Sequence, residues 1–359
     1  EDSPFIFFED GEILSQPSKE ELAVKLGLNP NASADLYDLV IVGAGPAGLA
    51  AAVYGASEGL KTLLIEKHAP GGQAGTSSRI ENYLGFPKGL SGSDLARRAI
   101  SQATRLGAEL LNPAEVQAIE TADLNKKIHL TNGSTIICRS IIITTGVDYR
   151  KLEKPGLGLL SGAGVYYGAA STEAGACSNK AVFIVGGGNS AGQAAMYLSR
   201  FAKNVTILIR RGDLSSTMSA YLIEQIEQSD NIRLMPFSEI EEAKGEKQLE
   251  SLQIYHSDRK ESARYEAAAL FIFIGAKPIT EWLGDLVSRD EKGFIYTGNA
   301  LRKHKGVWKH NREAYSLETS MPGIFAAGDV RSGAMNRVAS AVGEGAMAVS
   351  YVHKYLTEV

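Results

Sequence analysis

A glycine-rich turn between a strand and a helix constrains the fold of this chain more than any other feature. It reads Gly43-x-Gly45-x-x-Gly48, follows an apolar strand at residues 37–42, and opens an alanine-rich helix that ends near residue 59. The first glycine of this pattern makes a tight turn, the second lets the backbone approach a pyrophosphate, and the third lets the helix pack closely. The turn therefore predicts a Rossmann-like domain whose helix N-terminus faces the phosphates of a dinucleotide.

The same arrangement occurs a second time, as Gly186-x-Gly188-x-x-Ala191 after a strand at residues 181–185. Alanine is accepted at the third position of the pattern. Glycine accounts for 38 of the 359 residues, which is above the average of about 7%, and the excess is concentrated in such turns. Two turns of this kind predict an α/β fold with two Rossmann-like dinucleotide-binding domains.

The residues at the end of the following strand distinguish the two dinucleotides. Glu66 follows a strand at residues 61–65, at the place where a carboxylate accepts hydrogen bonds from ribose hydroxyls. Arg210 and Arg211 follow a strand at residues 205–209, where two guanidinium groups suit a 2′-phosphate. We therefore predict FAD in the first domain and NADPH in the second. A hydride donor beside a flavin indicates a redox enzyme.

The composition excludes several other classes of function. The formal net charge is −4, so there is no basic excess for nucleic-acid binding. The two cysteines, Cys138 and Cys177, are too few for a disulfide scaffold, and the six histidines show no metal-ligand spacing, so we expect no metal. Asp38 and several glycines interrupt the apolar run at residues 36–55, so we expect no membrane span. A cytoplasmic location is expected from the same cysteine usage.

The order of the strands predicts that the second domain is inserted into the first. A strand at residues 323–327 comes after the second domain and is expected to close the first one. The glycine-rich, aperiodic stretch at residues 155–164 is expected to act as a hinge. The expected boundaries are 36–152 and 279–359 for the FAD-binding domain and 153–278 for the NADPH-binding domain.

Residues 1–35 form a separate short piece. The Asp10-Gly11 turn between two apolar runs predicts a pair of strands, and Ser18 with Glu21 predicts the capping box of a short helix. This β-β-α extension is similar to the end of a thioredoxin- or glutaredoxin-like domain, which would make it a structural or docking remnant. The alternative is a simple N-terminal arm. Whether a further domain precedes residue 1 stays open.

Taken together, the motifs resemble those of the low-molecular-weight bacterial thioredoxin reductase group of flavoproteins, over residues 36–359. The resemblance implies that the Gly-Gly-Gln stretch and Asn82 line the flavin, and that Asp329 holds the ribityl chain. It also implies a homodimer. Beside the two glycine turns and the arginine pair, the motifs that carry it are Pro70-Gly71-Gly72-Gln73, Glu81-Asn82, Thr144-Thr145-Gly146, Ile274-Gly275, Gly328-Asp329-Val330 and Arg337-Val338-Ala339.

These motifs give two sets of expected cofactor contacts. For FAD they are Gly43, Gly45, Pro46, Ala47, Gly48, Glu66, Lys67, Gly72, Gln73, Asn82, Val116, Thr145, Gly146, Gly328, Asp329, Arg337, Val338 and Ala339. For NADPH they are Gly186, Gly188, Asn189, Ser190, Ala191, Arg210, Arg211, Ile274 and Gly275.

One segment departs from the resemblance. Thioredoxin reductases carry a Cys-x-x-Cys just before the second glycine turn, and this dithiol passes electrons on by thiol–disulfide exchange. Here Gly168 and Ser171 stand in the corresponding places, next to Tyr167. Cys138 and Cys177 are expected to be small buried apolar residues. No residue is assigned a catalytic role, and the vacated place at Tyr167, Gly168 and Ser171 is the expected acceptor pocket.

We therefore predict a FAD-dependent, NADPH-linked oxidoreductase that passes electrons to a non-dithiol acceptor. The acceptor would be a small molecule, dioxygen or a one-electron carrier protein. Two alternatives stay open: a ferredoxin– or flavodoxin–NADP reductase built on the same fold, and a flavin-binding sensory or interaction module without turnover. The N-terminal extension gives the second alternative some support.

Overall fold

The structure is a computed structural model of the chain. It describes residues 5–7, 13–18, 21, 25, 32–77, 80, 83–122, 124–168, 174–303, 307–308 and 310–358. Two predicted site residues, Asn82 and Ser171, lie outside the described residues, as does most of the predicted N-terminal helix. Among the described residues, no helix is both long enough and apolar enough to cross a bilayer.

Strands account for most of the regular structure in the described residues. In chain order they are β1 Phe5–Phe7, β2 Ile13–Ser15, β3 Tyr37–Val42, β4 Thr62–Ile65, β5 Glu109–Leu111, β6 Val116–Ala122, β7 Asn125–Leu130, β8 Thr135–Ile143, β9 Val147–Tyr149, β10 Val165–Tyr167, β11 Ala181–Val185, β12 Asn204–Leu208, β13 Ile232–Met235, β14 Ser238–Lys244, β15 Ser251–His256, β16 Glu261–Glu266, β17 Ala269–Ile272, β18 Ala276–Pro278 and β19 Ile324–Ala326.

The helices are fewer and two of them are long. In chain order they are α1 Pro46–Ser57, α2 Gly72–Gly75, α3 Gly92–Arg105, α4 Asn189–Leu198, α5 Ala220–Glu227, α6 Asn299–Lys303 and α7 Val338–Glu358, with single 3₁₀ turns at Ala174–Cys177 and Glu281–Leu283.

The chain divides into two compact units. Unit 1 comprises Glu1–Thr76, Gly92–Val147 and Pro278–Val359, and unit 2 comprises Ser77–Ser91 and Asp148–Lys277. The domain boundaries derived from the sequence, at 152/153 and 278/279, stay a prediction.

The predicted hinge at residues 155–164 lies inside unit 2 instead of at its border. Leu157 and Leu160 are buried there, and the amide of Ala243 donates a hydrogen bond of 3.0 Å to the Pro155 carbonyl. The sequence reading was wrong at this point because glycine content marks irregular backbone, whereas the two leucines anchor this irregular backbone in a core. The chain passes between the units at 76/77, 91/92, 147/148 and 277/278.

Unit 1 is built on a sheet with the strand order β5-β4-β3-β8-β7-β6, and β19 pairs with β8. Strands β5, β4, β3, β8 and β19 run parallel to one another. Strand β7 pairs antiparallel with both β8 and β6. Strand β3 lies at the centre and is apolar almost throughout, as expected for a strand covered on both faces. The predicted closing strand is confirmed, since β19 follows residues 148–277 of unit 2 along the chain and pairs with β8 of this sheet.

Unit 2 contains a second parallel sheet, in the order β10-β17-β11-β12-β13. An antiparallel sheet of β14, β15 and β16 accompanies it. Both units therefore hold a strand–turn–helix–strand arrangement around a parallel sheet, and the predicted fold class is confirmed.

The short N-terminal piece agrees with the sequence where it is described. Strands β1 and β2 pair antiparallel, with Ile6 opposite Leu14. The Ser18 amide donates to the Glu21 carboxylate at 2.8 Å, and the Glu21 amide donates to the Ser18 hydroxyl at 3.1 Å. This reciprocal pair is the predicted capping box.

Candidate functional site

The first glycine turn is shaped by two close approaches and one open position. Gly43 has a φ of +103°, and a Cβ there would lie 2.6 Å from the carbonyl oxygen of Thr144. A Cβ on Gly48 would overlap the Gly43 carbonyl, whereas one on Gly45 would meet nothing within 4 Å. The outer two glycines are therefore needed for packing, and Gly45 leaves open the space in front of helix α1. Pro46 begins that helix, where a missing N–H costs nothing.

A second loop lies against this turn. The Gly71 amide donates to the Ala44 carbonyl at 2.7 Å, and a Cβ on Gly72 would lie 3.0 Å from the Gly45 Cα. Gln73 follows in the short helix α2 with an exposed side chain. The structure therefore brings the predicted residues Gly72 and Gln73 next to the open position at Gly45.

Glu66 is held in place by two backbone donors. Its carboxylate accepts from the Ala44 amide at 2.8 Å and from the His68 amide at 2.8 Å. Each carboxylate oxygen has a second lone pair, so the group can still accept from a ligand. Lys67 is exposed and lies 3.4 Å from Glu115, and Val116 is buried at the start of β6.

The loop after Glu66 depends on a residue that the sequence did not reveal. The buried side chain of Asn112 donates to the carbonyls of Glu66, at 2.9 Å, and His68, at 2.6 Å. The only local signal was an isolated asparagine before a proline, which does not point to a distant loop. Asn112 therefore acts as a brace for the predicted ribose-binding position.

The Thr-Thr-Gly motif closes the same edge of the sheet. The Thr144 hydroxyl lies 2.6 Å from the Gly43 carbonyl, to which it donates. The Thr145 hydroxyl donates to the Ile279 carbonyl at 2.8 Å. Gly146 follows directly, and a Cβ there would meet nothing within 4 Å. The motif thus ties the first glycine turn to strand β8 and to the returning chain.

Gly328 and Asp329 follow β19 and are organised by an ion pair. The Gly328 amide donates to Glu344 Oε2 at 2.7 Å, and Arg331 Nε donates to the same oxygen at 3.0 Å. Arg331 Nη2 also contacts the other carboxylate oxygen of Glu344. The sequence did not reveal Glu344, because its partners lie 13 and 16 positions away.

The Asp329 carboxyl is half-buried and accepts no hydrogen bond from the described part of the chain. Burial, and then the charge of Glu344, raise its pKa to about 6. A ligand hydroxyl that donates a hydrogen bond to this carboxylate would stabilise its charged form.

The third segment of the predicted FAD set lies where helix α7 begins. Arg337 precedes the helix and is exposed, Val338 is half-buried, and Ala339 is exposed. Ala47 of helix α1 is buried. Its methyl group would lie 3.1 Å from a Cβ on Gly328, so the chain after β19 passes close to α1.

Gly43, Glu66 and Gly328 come close after the ends of parallel strands of one sheet, at its carboxyl edge. Val116 differs, because it begins strand β6 in the antiparallel part of that sheet.

Unit 2 contains a second glycine turn of the same form. A Cβ on Gly186 would overlap the Phe273 carbonyl, and Ala191 is fully buried in helix α4. Gly188 is more open, its nearest neighbour being the Thr217 carbonyl at 3.9 Å from a Cβ. Asn189 and Ser190 are exposed at the start of α4. The turn thus presents the N-terminus of a ten-residue helix, which suits an anion.

The two arginines stand in the loop after β12. Arg210 and Arg211 are both exposed, and Arg211 Nη1 donates to the Ser216 hydroxyl at 2.9 Å. The nearby Asp213 accepts from the Ser215 amide and hydroxyl, which lower the pKa of its carboxyl. The sequence singled out the arginines but not the serines that follow them, because serine is common in any loop.

Two further predicted NADPH residues follow β17. Ile274 is half-buried among apolar residues of unit 2. Gly275 is exposed, and its carbonyl accepts from the Arg150 amide at 3.0 Å. These residues therefore leave the sheet at its carboxyl edge, as do the glycine turn and the arginines.

The place expected for a vacated dithiol is partly filled. Gly168 has a φ of +84°, and a Cβ there would lie 2.7 Å from the ring of Tyr149. Tyr167 accepts a hydrogen bond from the Leu152 amide at 3.3 Å. The Tyr149 ring therefore occupies the space that a side chain at Gly168 would need. Residues 169–173 lie outside the described residues, so the expected acceptor pocket at Tyr167, Gly168 and Ser171 stays a prediction.

Both cysteines are buried, and neither is part of a disulfide. Cys138 lies in β8 of unit 1, and Cys177 ends a 3₁₀ turn of unit 2. Burial raises the pKa of the Cys138 thiol to about 12. At neutral pH that sulfur is therefore a thiol, which is a poor nucleophile.

Comparison with known proteins places these sites in a family. The family model described as pyridine nucleotide-disulphide oxidoreductase matches residues 37–345. The thioredoxin reductase of Listeria innocua is 34% identical over 326 residues, covering 90% of this chain and 95% of that protein. The thioredoxin reductase of Bacillus subtilis is 32% identical over 326 residues, covering 90% and 96%.

Solved structures agree with the sequence relatives. The thioredoxin reductase of Streptococcus pyogenes superposes with a TM-score of 0.82 at 31% identity, covering 91% of this chain and 100% of that one. The enzyme of Giardia duodenalis gives 0.79 at 28% identity, covering 90% and 100%. The resemblance predicted from the motifs is thus confirmed. The chain belongs to the pyridine nucleotide-disulphide oxidoreductase family, a family of enzymes, and within it is similar to the thioredoxin reductases.

Proposed function

We propose that the protein is a FAD-dependent, NADPH-linked oxidoreductase that delivers electrons to an acceptor other than a protein dithiol of its own. One observation carries the proposal. Each unit has a glycine turn at the carboxyl edge of a parallel sheet, and the charge after the next strand is negative at Glu66 and positive at Arg210 and Arg211. The two sites therefore suit different dinucleotides.

The residues of unit 1 fit FAD. The open space at Gly45 suits a pyrophosphate in front of α1, and the braced Glu66 carboxylate can accept from the adenosine ribose. The Asp329 carboxyl accepts no hydrogen bond from the described residues and can accept one from a ribityl hydroxyl. When bound, FAD supplies an isoalloxazine that takes a hydride and passes the electrons on.

The residues of unit 2 fit NADPH. The guanidinium groups of Arg210 and Arg211 can both reach solvent and therefore an incoming 2′-phosphate. Replacing both by glutamine is expected to lower the preference for NADPH over NADH. NADH has no 2′-phosphate, so its binding loses no contact with these side chains. An unchanged cofactor preference in that double variant would refute the assignment.

The number and burial of the cysteines support the proposed class of electron acceptor. The sequence contains two cysteines and no Cys-x-x-Cys, and both cysteines are buried. Gly168 lies against the Tyr149 ring, so a side chain there would collide with it. We therefore propose a small molecule, dioxygen or a one-electron carrier protein as the acceptor.

The test is anaerobic mixing of the FAD-loaded protein with NADPH, followed by a panel of acceptors. We expect the yellow flavin absorbance to bleach and to return on addition of a quinone, dioxygen or a ferredoxin, but not of oxidised thioredoxin. A flavin that stays oxidised in excess NADPH would refute the proposed reductase. Fast reoxidation by thioredoxin would refute the proposed acceptor class.

We further propose a homodimer in a reducing, cytoplasmic setting. The similarity to the thioredoxin reductase group supports the first, and the two buried cysteines, neither of them in a disulfide, support the second. Light scattering coupled to size exclusion tests the dimer, and a monomer across the micromolar range would overturn it.

A further inference from the structure

The loop at residues 210–219, which joins β12 to α5, holds one of the two arginines in a fixed direction. Arg211 Nη1 donates to the Ser216 hydroxyl at 2.9 Å. Arg210 makes no hydrogen bond or ion pair with the described residues. The two neighbouring guanidinium groups are therefore not equivalent, since one is oriented by the loop and the other is not.

The loop itself is anchored on the glycine turn. The Thr217 hydroxyl donates to the Gly187 carbonyl at 2.6 Å, and the Ser219 amide donates to the Asn189 side-chain oxygen at 2.8 Å. Helix α4 can come this close to the loop because Gly192 lacks a side chain, and a Cβ there would lie 2.8 Å from Met218. Ser216 is thus fixed relative to the turn that faces the phosphates.

The charge nearest to Arg211 does not compete for it by hydrogen bonding. The Asp213 carboxylate accepts from the Ser215 amide at 2.9 Å and from the Ser215 hydroxyl at 2.6 Å. Arg211 turns to the neutral Ser216 hydroxyl instead. The Arg211 charge also acts on the Asp213 carboxylate through space, but the guanidinium donates to Ser216 alone among the described residues. Four of its five N–H donors therefore remain for an anion.

We propose that Ser216 is a positioning residue for the recognition of a 2′-phosphorylated adenosine, and that it acts by orienting Arg211 toward the 2′-phosphate. This inference rests on the proposed NADPH site. A side chain that is already oriented loses less rotamer entropy on binding, so the hydroxyl strengthens binding without touching the nicotinamide end.

The test compares two small probes on the full chain at one fixed ionic strength. Binding of 2′,5′-ADP and of 5′-ADP is measured by calorimetry for the parent, Ser216→Ala and Ser216→Thr. We expect Ser216→Ala to bind 2′,5′-ADP about threefold to tenfold more weakly, which is the net effect of one ordinary hydrogen bond. Binding of 5′-ADP should not change, and Ser216→Thr, which keeps the hydroxyl, should restore the parent affinity.

Ser229→Ala is the matched control. It removes a serine hydroxyl of the same unit that donates to the Gln225 carbonyl at 2.7 Å and makes no hydrogen bond with the described loop at residues 210–219, and it should leave 2′,5′-ADP binding at the parent value. In an Arg211→Gln background, Ser216→Ala should have no further effect, because the two residues act as one.

The outcomes separate this inference from the proposed function. A parent that binds 2′,5′-ADP no better than 5′-ADP overturns both the NADPH assignment and the role of Ser216. A parent that discriminates, with Ser216→Ala indistinguishable from it or weakened equally for both probes, overturns the role of Ser216 alone.

Discussion

Two carboxyl groups in unit 1 stand at the ends of strands but have opposite surroundings. Glu66 accepts from two backbone amides, so its direction is set before any ligand arrives. Asp329 has no such donors among the described residues, and burial raises its pKa to about 6. The protein therefore orients the Glu66 carboxylate before a ligand binds, whereas the Asp329 carboxylate would receive its hydrogen bond from the ligand. This difference makes Asp329 the more sensitive probe of cofactor binding.

Replacing Asp329 by asparagine should stabilise the flavin-free protein and weaken FAD binding. Because the folded pKa is raised, the folded state holds the proton more tightly than the unfolded chain between about pH 4 and pH 6. The free energy of unfolding of the parent therefore falls as the pH rises through that window, by up to about 3 kcal/mol. The variant lacks this loss and should be the more stable protein above about pH 6.

Urea unfolding of the flavin-free proteins on both sides of this window checks the first part, and retention of FAD on dilution checks the second. Identical pH dependence in the parent and Asp329→Asn would show that Asp329 titrates as an ordinary exposed carboxyl.

Gly168 should tolerate no side chain. Its positive φ and the Tyr149 ring 2.7 Å from a Cβ both oppose substitution. Gly168→Ala should lower the free energy of unfolding by about 1–3 kcal/mol. A cysteine has the same Cβ, so a Cys-x-x-Cys built by Gly168→Cys and Ser171→Cys should not by itself give thioredoxin reduction.

Gly158→Ala is the control for this substitution, because a Cβ there would meet nothing within 4 Å. Thermal unfolding compares the two alanine variants. Equal stability of both would contradict the close approach of Tyr149 to Gly168.

At the scale of elements, unit 1 depends on the contact between helices α1 and α7. A Cβ on Gly345 of α7 would overlap the carbonyl oxygen of Ala47 in α1. The same end of α7 carries Glu344, which bonds the Gly328 amide. Helix α7 therefore supports the glycine turn from behind while it orders the chain after β19.

Two glycines of α7 should respond in opposite directions to the same substitution. Gly345→Ala should push α7 away from α1 and lower the free energy of unfolding by about 1–3 kcal/mol. Gly343 lies two residues away in the same helix, and a Cβ there would meet nothing within 4 Å. Gly343→Ala should raise the free energy of unfolding by about 1 kcal/mol, as expected for an exposed helical site.

Urea unfolding and FAD retention of the two variants check this pair. A Gly345→Ala protein as stable as Gly343→Ala would contradict the close contact between the two helices.

At the scale of the whole molecule, the sequence predicted what local spacing encodes. The two glycine turns, the strand around Val40 and the closing strand before Gly328 were predicted, because each depends on neighbours within a few positions. Asn112 and Glu344 were not predicted, because their contacts join segments 13 to 46 positions apart. Distances through space of this kind leave no periodic signal in a single sequence.

A further difference, at Gly168, has the same origin. The Tyr149 ring in front of Gly168 was not foreseen, because the two residues lie in separate strands and only their folding brings them together. Sequence alone therefore predicted the two sites of the proposed enzyme better than the place where electrons leave it.

In the proposed enzyme, no sulfur pair stores electrons after the flavin. An anaerobic reductive titration of the FAD-loaded protein with dithionite, counting electrons taken up per bound flavin, tests this property. We expect uptake of about two electrons per flavin, which is the capacity of FAD alone. Uptake of about four electrons per flavin, the capacity of FAD with a redox-active disulfide, would contradict it.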